Sequence, residues 1–230
     1  MNEQARLPFP DRDRPLQEVV EEFGERVRPG GSYGEIDEWS VYDETFRRFV
    51  QWAADTGCFL EGWEPLKEGG REHDLTFDSA SGSWIKFTKP SCAGYVVSFE
   101  TGMPALEPAL PLEYLQRLIL QNELFSDQIT FVGIGGSIRQ SRIMTRQPDI
   151  IGEAAEDKEI IRMMTQELDF ECLEPRFSVG YQDSLAFVRD DVAVFDLRSA
   201  NVVRTPEGLI VPIDAIPVRL NSAAKRILGR

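Results

Sequence analysis

Val192-Ala193-Val194-Phe195-Asp196-Leu197-Arg198-Ser199-Ala200-Asn201 and, a few residues on, Leu209-Ile210-Val211-Pro212-Ile213-Asp214 decide how this chain reads. The first stretch is an apolar strand that runs into an Asp, with an Asn five positions later. Val202-Val203-Arg204 then leads through Thr205-Pro206-Glu207-Gly208 into a second apolar strand that ends in Asp214. Thr-Pro-Glu-Gly between two β-rich runs is a hairpin signal. Carboxylate and amide groups at neighbouring strand ends, bracketing one hairpin, can converge on one hard cation. Phosphoryl transfer needs such oxygens around Mg²⁺, together with an acceptor that orients the attacking hydroxyl.

Upstream of this block the periodicity alternates between helix and strand without a βα repeat. Leu16, Val19, Val20, Phe23 and Val27 fall at helical spacing, and Pro29-Gly30-Gly31 is the expected stop. A second helix is expected over 41–56, with Tyr42, Phe46, Phe49, Val50 and Ala53 inward and Gly57 ending it. Strands are expected at 58–63, 74–78, 83–89 and 95–99, followed by a helix that opens at Pro111 with Glu113 in its first turn. Two strands, 129–133 and 137–145, are read as joined around Gly135-Gly136, and Gln147-Pro148-Asp149 breaks the pattern. A helix over 154–168 and strands at 177–181, 184–189 and 192–195 complete the run into the hairpin. Strands, helix, two strands, helix, then paired strands make an α+β chain.

Composition limits the partners. The 230 residues carry 39 acidic and 25 basic side chains, a formal charge of −14. Nucleic acid and anionic membrane both need a basic surface, so neither is expected as a partner. Cys58, Cys92 and Cys172 are too few and too widely spaced for a metal motif or a disulfide framework. Met1 to Arg6 has no apolar leader and no run is long enough to span a bilayer, so a cytoplasmic location is expected by elimination.

Asp196-x-x-x-x-Asn201, the hairpin and Asp214 resemble the catalytic loop and metal-binding segment of protein kinases and of aminoglycoside-phosphotransferase-like enzymes. Gly69-Gly70-Arg71-Glu72-His73, Lys86-Phe87-Thr88-Lys89-Pro90, Glu113-Tyr114-Leu115-Gln116-Arg117 and Asn122-Glu123-Leu124-Phe125-Ser126-Asp127 extend the likeness. Over roughly residues 43–218 the chain resembles the kinase-like domain of phage and bacterial polyvalent proteins. That resemblance implies a minimal two-lobed kinase-like fold that takes ATP and Mg²⁺ as cofactors. By resemblance, Asp196 is the catalytic Asp, Asn201 and Asp214 are the metal ligands, and Arg198 stands where protein kinases carry a phosphate-directed Lys. Lys86 matches the strand lysine that holds the phosphates, with Lys89 as its competitor, and Gly69-Gly70 matches the glycine turn. Pro148-Asp149-Ile150 falls where a hinge presents backbone groups to adenine. Glu113 or Glu123 would pair with the lysine. The implied organisation is an arm and helices over 1–56, an antiparallel sheet with one helix over 57–147, and a reduced second lobe over 148–230.

Departures from the pattern keep other readings open. Val194-Phe195 replaces the His-Arg before the catalytic Asp, and Ala215-Ile216 replaces the Phe-Gly after the metal Asp. With sixteen residues after Asp214, no long activation segment is expected. The phosphate acceptor is open, a protein hydroxyl or a small alcohol. A nucleotide-binding pseudokinase is the first alternative. The second is an α+β interaction or immunity-type protein, in which Asp196, Asn201 and Asp214 merely form turns. His73, the single histidine, reads as structural.

Overall fold

The computed structural model describes residues 13–27 and 38–230, so most of the N-terminal arm and the Pro29-Gly30-Gly31 stop lie outside the described residues. The first elements are α1 (Leu16–Val27), α2 (Glu38–Asp55), β1 (Phe59–Glu61), β2 (His73–Asp78), β3 (Ser83–Thr88), β4 (Tyr95–Ser98) and β5 (Ala105–Pro108). Next come α3 (Pro111–Phe125), β6 (Thr130–Ser137), β7 (Gln140–Pro148), β8 (Glu153–Ala154), α4 (Asp157–Arg162) and β9 (Glu171–Cys172). The last are β10 (Leu185–Arg189), β11 (Val192–Leu197), β12 (Val202–Arg204), β13 (Ile210–Pro212), β14 (Ile216–Arg219) and α5 (Ser222–Ile227). The mixture of helices and largely antiparallel sheets is the expected α+β class. No described helix is long and apolar enough to cross a membrane.

The chain divides into two units. The first comprises 1–92 and 129–148, the second 93–128 and 149–230. In the first, a five-stranded sheet runs β1-β6-β7-β3-β2. Helix α1 buries Leu16, Val19 and Phe23, and α2 buries Phe46, Phe49, Val50 and Ala53, both as their spacing requires. Phe23, Phe49, Trp52 and Phe131 form one aromatic cluster, with Phe49 and Trp52 stacked at 5.3 Å and Phe49 and Phe131 tilted at 6.0 Å. Gly57 does end α2: it takes φ 74°, and Cys58 N–H donates to Ala53 O at 2.7 Å.

The first sheet is mixed, not antiparallel as expected. Strand β1 runs parallel to β6, and the other pairs in the sheet are antiparallel. The glycines explain this. A Cβ on Gly133 would lie 2.5 Å from Cys58 O, and one on Gly135 2.9 Å from Trp63 O. Gly135 and Gly136 are therefore close-approach residues inside β6, not the turn predicted for them, and the reversal falls between Ser137 and Gln140.

In the second unit, one sheet runs β14-β11-β10-β9, a second β13-β12-β8, and β4 pairs with β5. Helix α3 belongs here, although the sequence placed it with the first sheet. It packs on β14 and β4. Tyr114, Leu115, Leu118 and Leu120 are buried, and Arg117 donates to Tyr95 O at 2.7 Å. The helix predicted over 154–168 is shorter, because Ala154 is taken into β8 against Val203. Glu159 then accepts from Glu156 N–H at 2.9 Å to start α4, and residues 163–167 widen into a π turn. Residues 178–184, expected to be largely strand, form a loop after a short 3-10 turn at Pro175–Phe177.

Candidate active site

The second unit gathers Asp196, Arg198, Asn201 and Asp214. Strand β11 carries Asp196 next to its end, opposite an irregularity in the ladder between Leu185 and Phe187 of β10. Its neighbours Phe195 and Leu197 are fully buried, which anchors the backbone on both sides. Asp196 itself adopts φ 56°, a left-handed conformation that costs a non-glycine residue about 1 kcal/mol or more. Such a residue persists where its surroundings over-determine it, and here they do.

Asn201 is the hub of that over-determination. A 3-10 turn, Ser199–Asn201, brings it back beneath Asp196. Its buried side-chain amide donates to the backbone carbonyl of Asp196 at 2.8 Å and to Asp196 Oδ2 at 3.0 Å. Its backbone carbonyl accepts from Ile213 N–H at 2.8 Å and from Asp214 N–H at 3.4 Å. One residue thus ties Asp196 to the strand end that carries Asp214. The amide nitrogen is fully used, while Oδ1, the hard-oxygen atom, accepts no hydrogen bond among the described residues.

The opposite edge of Asp196 is held by the 178–184 loop. Ser184 Oγ–H donates to Asp196 Oδ1 at 2.8 Å, and Tyr181 N–H points at the same oxygen from 3.5 Å. Gly180, at φ 96°, passes so near that a Cβ would stand 2.5 Å from Oδ1. Arg198 Nε lies 3.7 Å from Oδ1, an ion pair too long for a hydrogen bond, and its guanidinium sits 4.0 Å from the centre of the Tyr181 ring. Arg198 Nε is buried with no hydrogen-bond partner. Burial pushes the Asp196 carboxyl above its ordinary range and the charge of Asp214 adds to that, against the Ser184 hydroxyl, the Tyr181 N–H and Arg198.

The remaining candidates sit on other elements. Lys86 is half-buried on β3 in the first unit, between Leu75 of β2 and Thr145 of β7, on the face opposite Ile85 and Phe87. Lys89, its competitor, forms a close ion pair with Asp74. Gly69 and Gly70 belong to a tight return onto β2: Gly69 N–H donates to Asp74 Oδ1 at 3.1 Å, and a Cβ on Gly69 would meet His73 O at 2.2 Å. Pro148 ends β7, and the chain passes from the first unit to the second at Asp149 and Ile150. Glu113 has a local task, accepting from Leu110 N–H at 2.8 Å to cap α3. Glu123 pairs with Arg219 at 2.8 Å.

Sequence reasoning missed Gly180, Tyr181 and Ser184. The available signal was Gly180 itself, because a glycine within an apparent strand marks a place where something must come close. No protein-family model, curated protein or solved structure matches the chain.

Proposed function

We propose that the chain is an ATP- and Mg²⁺-dependent kinase-like phosphotransferase acting on an alcohol. The observation that carries this reading is the double role of Asn201, whose amide holds Asp196 while its carbonyl holds the strand end at Asp214. The donor set fits a hard divalent cation, since it offers the Asn201 Oδ1 and the Asp214 carboxylate. Asn201 and Asp214 would hold the ion, and Mg²⁺ there would neutralise phosphate charge. Asp196 orients the acceptor hydroxyl and receives its proton. Arg198, whose buried Nε–H has no hydrogen-bond partner, is suited to an anionic oxygen. On the same kinase-like reading, Lys86, Gly69-Gly70 and Pro148-Asp149-Ile150 are the remaining candidates for nucleotide contact.

The test is calorimetric titration with MgATP together with a melting measurement. At about 100 times Kd the fold should gain roughly 2.7 kcal/mol. No heat and no shift at millimolar MgATP would overturn the proposal. The engagement of both Asp196 oxygens by the chain's own groups favours, as a second reading, a nucleotide-holding module without turnover. Phosphate release or transfer from bound ATP separates the two.

A further inference from the structure

The loop over 178–184 covers both reactive groups of the proposed site. Gly180 and Ser184 lie against the Asp196 carboxylate, and Tyr181 lies on the Arg198 guanidinium. An outside alcohol reaches Asp196 Oδ1 only by displacing a hydroxyl that already stands at 2.8 Å, within the span expected between a general base and its substrate. We propose that Ser184 is itself the acceptor alcohol, so that the site phosphorylates its own loop. This rests on the phosphotransferase reading and names the substrate of that same site.

The surroundings of Ser184 support it. Ser184 N–H donates to Tyr181 O at 3.2 Å, and Ser184 O accepts from Ser178 Oγ–H at 2.6 Å. Its backbone is thereby fixed on both sides, and the hydroxyl is aimed at the carboxylate. With its proton directed at Asp196, the Oγ lone pairs point away from it, which is the arrangement a nucleophilic alcohol needs. Ser178 lacks this alignment because its hydroxyl is committed to the Ser184 carbonyl.

The step balances. The Ser184 O–H bond breaks and its proton passes to Asp196 Oδ1. A bond forms between Oγ and the terminal phosphorus of a nucleoside triphosphate. The bond from that phosphorus to the bridging oxygen breaks, its electron pair leaving with the nucleoside diphosphate, and Asp196 later gives the proton to water. The product carries a charge of about −1.5 to −2 beside Asp196. That repulsion pushes the loop off the carboxylate, so each chain reacts once.

The experiment incubates the full chain with MgATP and maps phosphate by mass spectrometry. Cleavage after Arg176 and Arg189 yields one peptide holding Ser178, Tyr181 and Ser184, and fragmentation assigns the site. The expected result is phosphate on Ser184, rising toward one per chain at a rate independent of protein concentration. It should be lost in Ser184→Ala and in Asp196→Asn, and retained at a lower rate in Ser184→Thr. MgATP binding is followed by calorimetry in every variant, and melting verifies that each is folded. Bound nucleotide with phosphate on other residues, or on an added alcohol while Ser184 stays unmodified, would overturn this inference and leave the phosphotransferase reading standing. Bound nucleotide without any transfer would overturn both the inference and turnover, and absence of binding would remove the nucleotide reading itself.

Discussion

Asn201 holds Asp196 by two hydrogen bonds from one amide nitrogen, at 2.8 Å to the backbone carbonyl and 3.0 Å to Oδ2. Asn201→Ala leaves the carbonyl of half-buried Asp196 without its amide donor and frees a residue held at φ 56°. The expected loss is about 1–3 kcal/mol, read from denaturant midpoints at unchanged slope. Asn201→Asp is the sharper probe. It puts an acceptor where a donor stood, beside two other carboxylates, so its destabilisation should shrink when Mg²⁺ is added. No metal effect on that variant would argue against a cation site.

Asp196 gives a pH signature. Its folded carboxyl titrates above the ordinary range, chiefly because it is buried. The folded state therefore holds the proton more tightly than the unfolded one. That contribution is present below the unfolded value and is lost as pH rises through the folded one. Asp196→Asn removes the cost of the buried charge, so its melting temperature relative to wild type should climb from acidic to neutral pH. A difference that stays flat across that range would show the carboxylate to be unperturbed.

Asp74 should behave in the opposite way. Burial alone would raise its carboxyl, but hydrogen bonds from Lys89, Gly69 N–H and Arg142 outweigh it and hold the value at about 2. Arg142 meets it at 2.7 Å. The folded state binds the proton more weakly here, so the stabilisation is full above about pH 4 and fades as pH falls toward 2. Asp74→Asn should cost about 2 kcal/mol at neutral pH, with the gap to wild type closing under acid. Urea titrations at pH 7 and at pH 3 give the comparison.

Gly180→Ala tests the close approach over the carboxylate. The new methyl would stand 2.5 Å from Asp196 Oδ1 in a backbone at φ 96°. The strain should lower stability by about 1–2 kcal/mol. The carboxylate must also turn away from Ser184, so phosphate transfer should fall further than melting alone accounts for. A variant that is destabilised yet transfers at the wild-type rate would show that the loop does not control Asp196.

The α+β class, both N-terminal helices and the hairpin after Asn201 were legible because each rests on local periodicity and turn chemistry. Leu16, Val19 and Phe23 announce a buried helix face wherever they occur. The convergence of Asp196, Asn201 and Asp214 was legible as spacing. The left-handed backbone of Asp196 and the hydroxyl of Ser184 were not, because the first rests on the Asn201 amide closing on its carbonyl and the second on a loop folding back across twelve residues of chain. The mixed first sheet escaped for the same reason. Gly135-Gly136 has turn composition, and it is strand because β1 and β7 flank it on either side. Glu113 shows how local chemistry competes with a family pattern: its carboxylate accepts from Leu110 N–H and caps α3.

The interleaving of the two units has a consequence for how the molecule is made. Its chain enters the second unit at Ala93, returns to the first at Ile129 and leaves it finally after Pro148. On the ribosome, the first unit lacks β6 and β7, which lie at the heart of its sheet, until residue 148 has emerged. Helix α3 meanwhile leaves the tunnel long before β14, the strand its apolar face covers. Neither unit can close around its own early residues, so folding waits on late synthesis and partly built chains expose apolar surface. A single cut at residue 92, 128 or 148 would leave at least one incomplete unit, so separable halves require a rearranged order of segments.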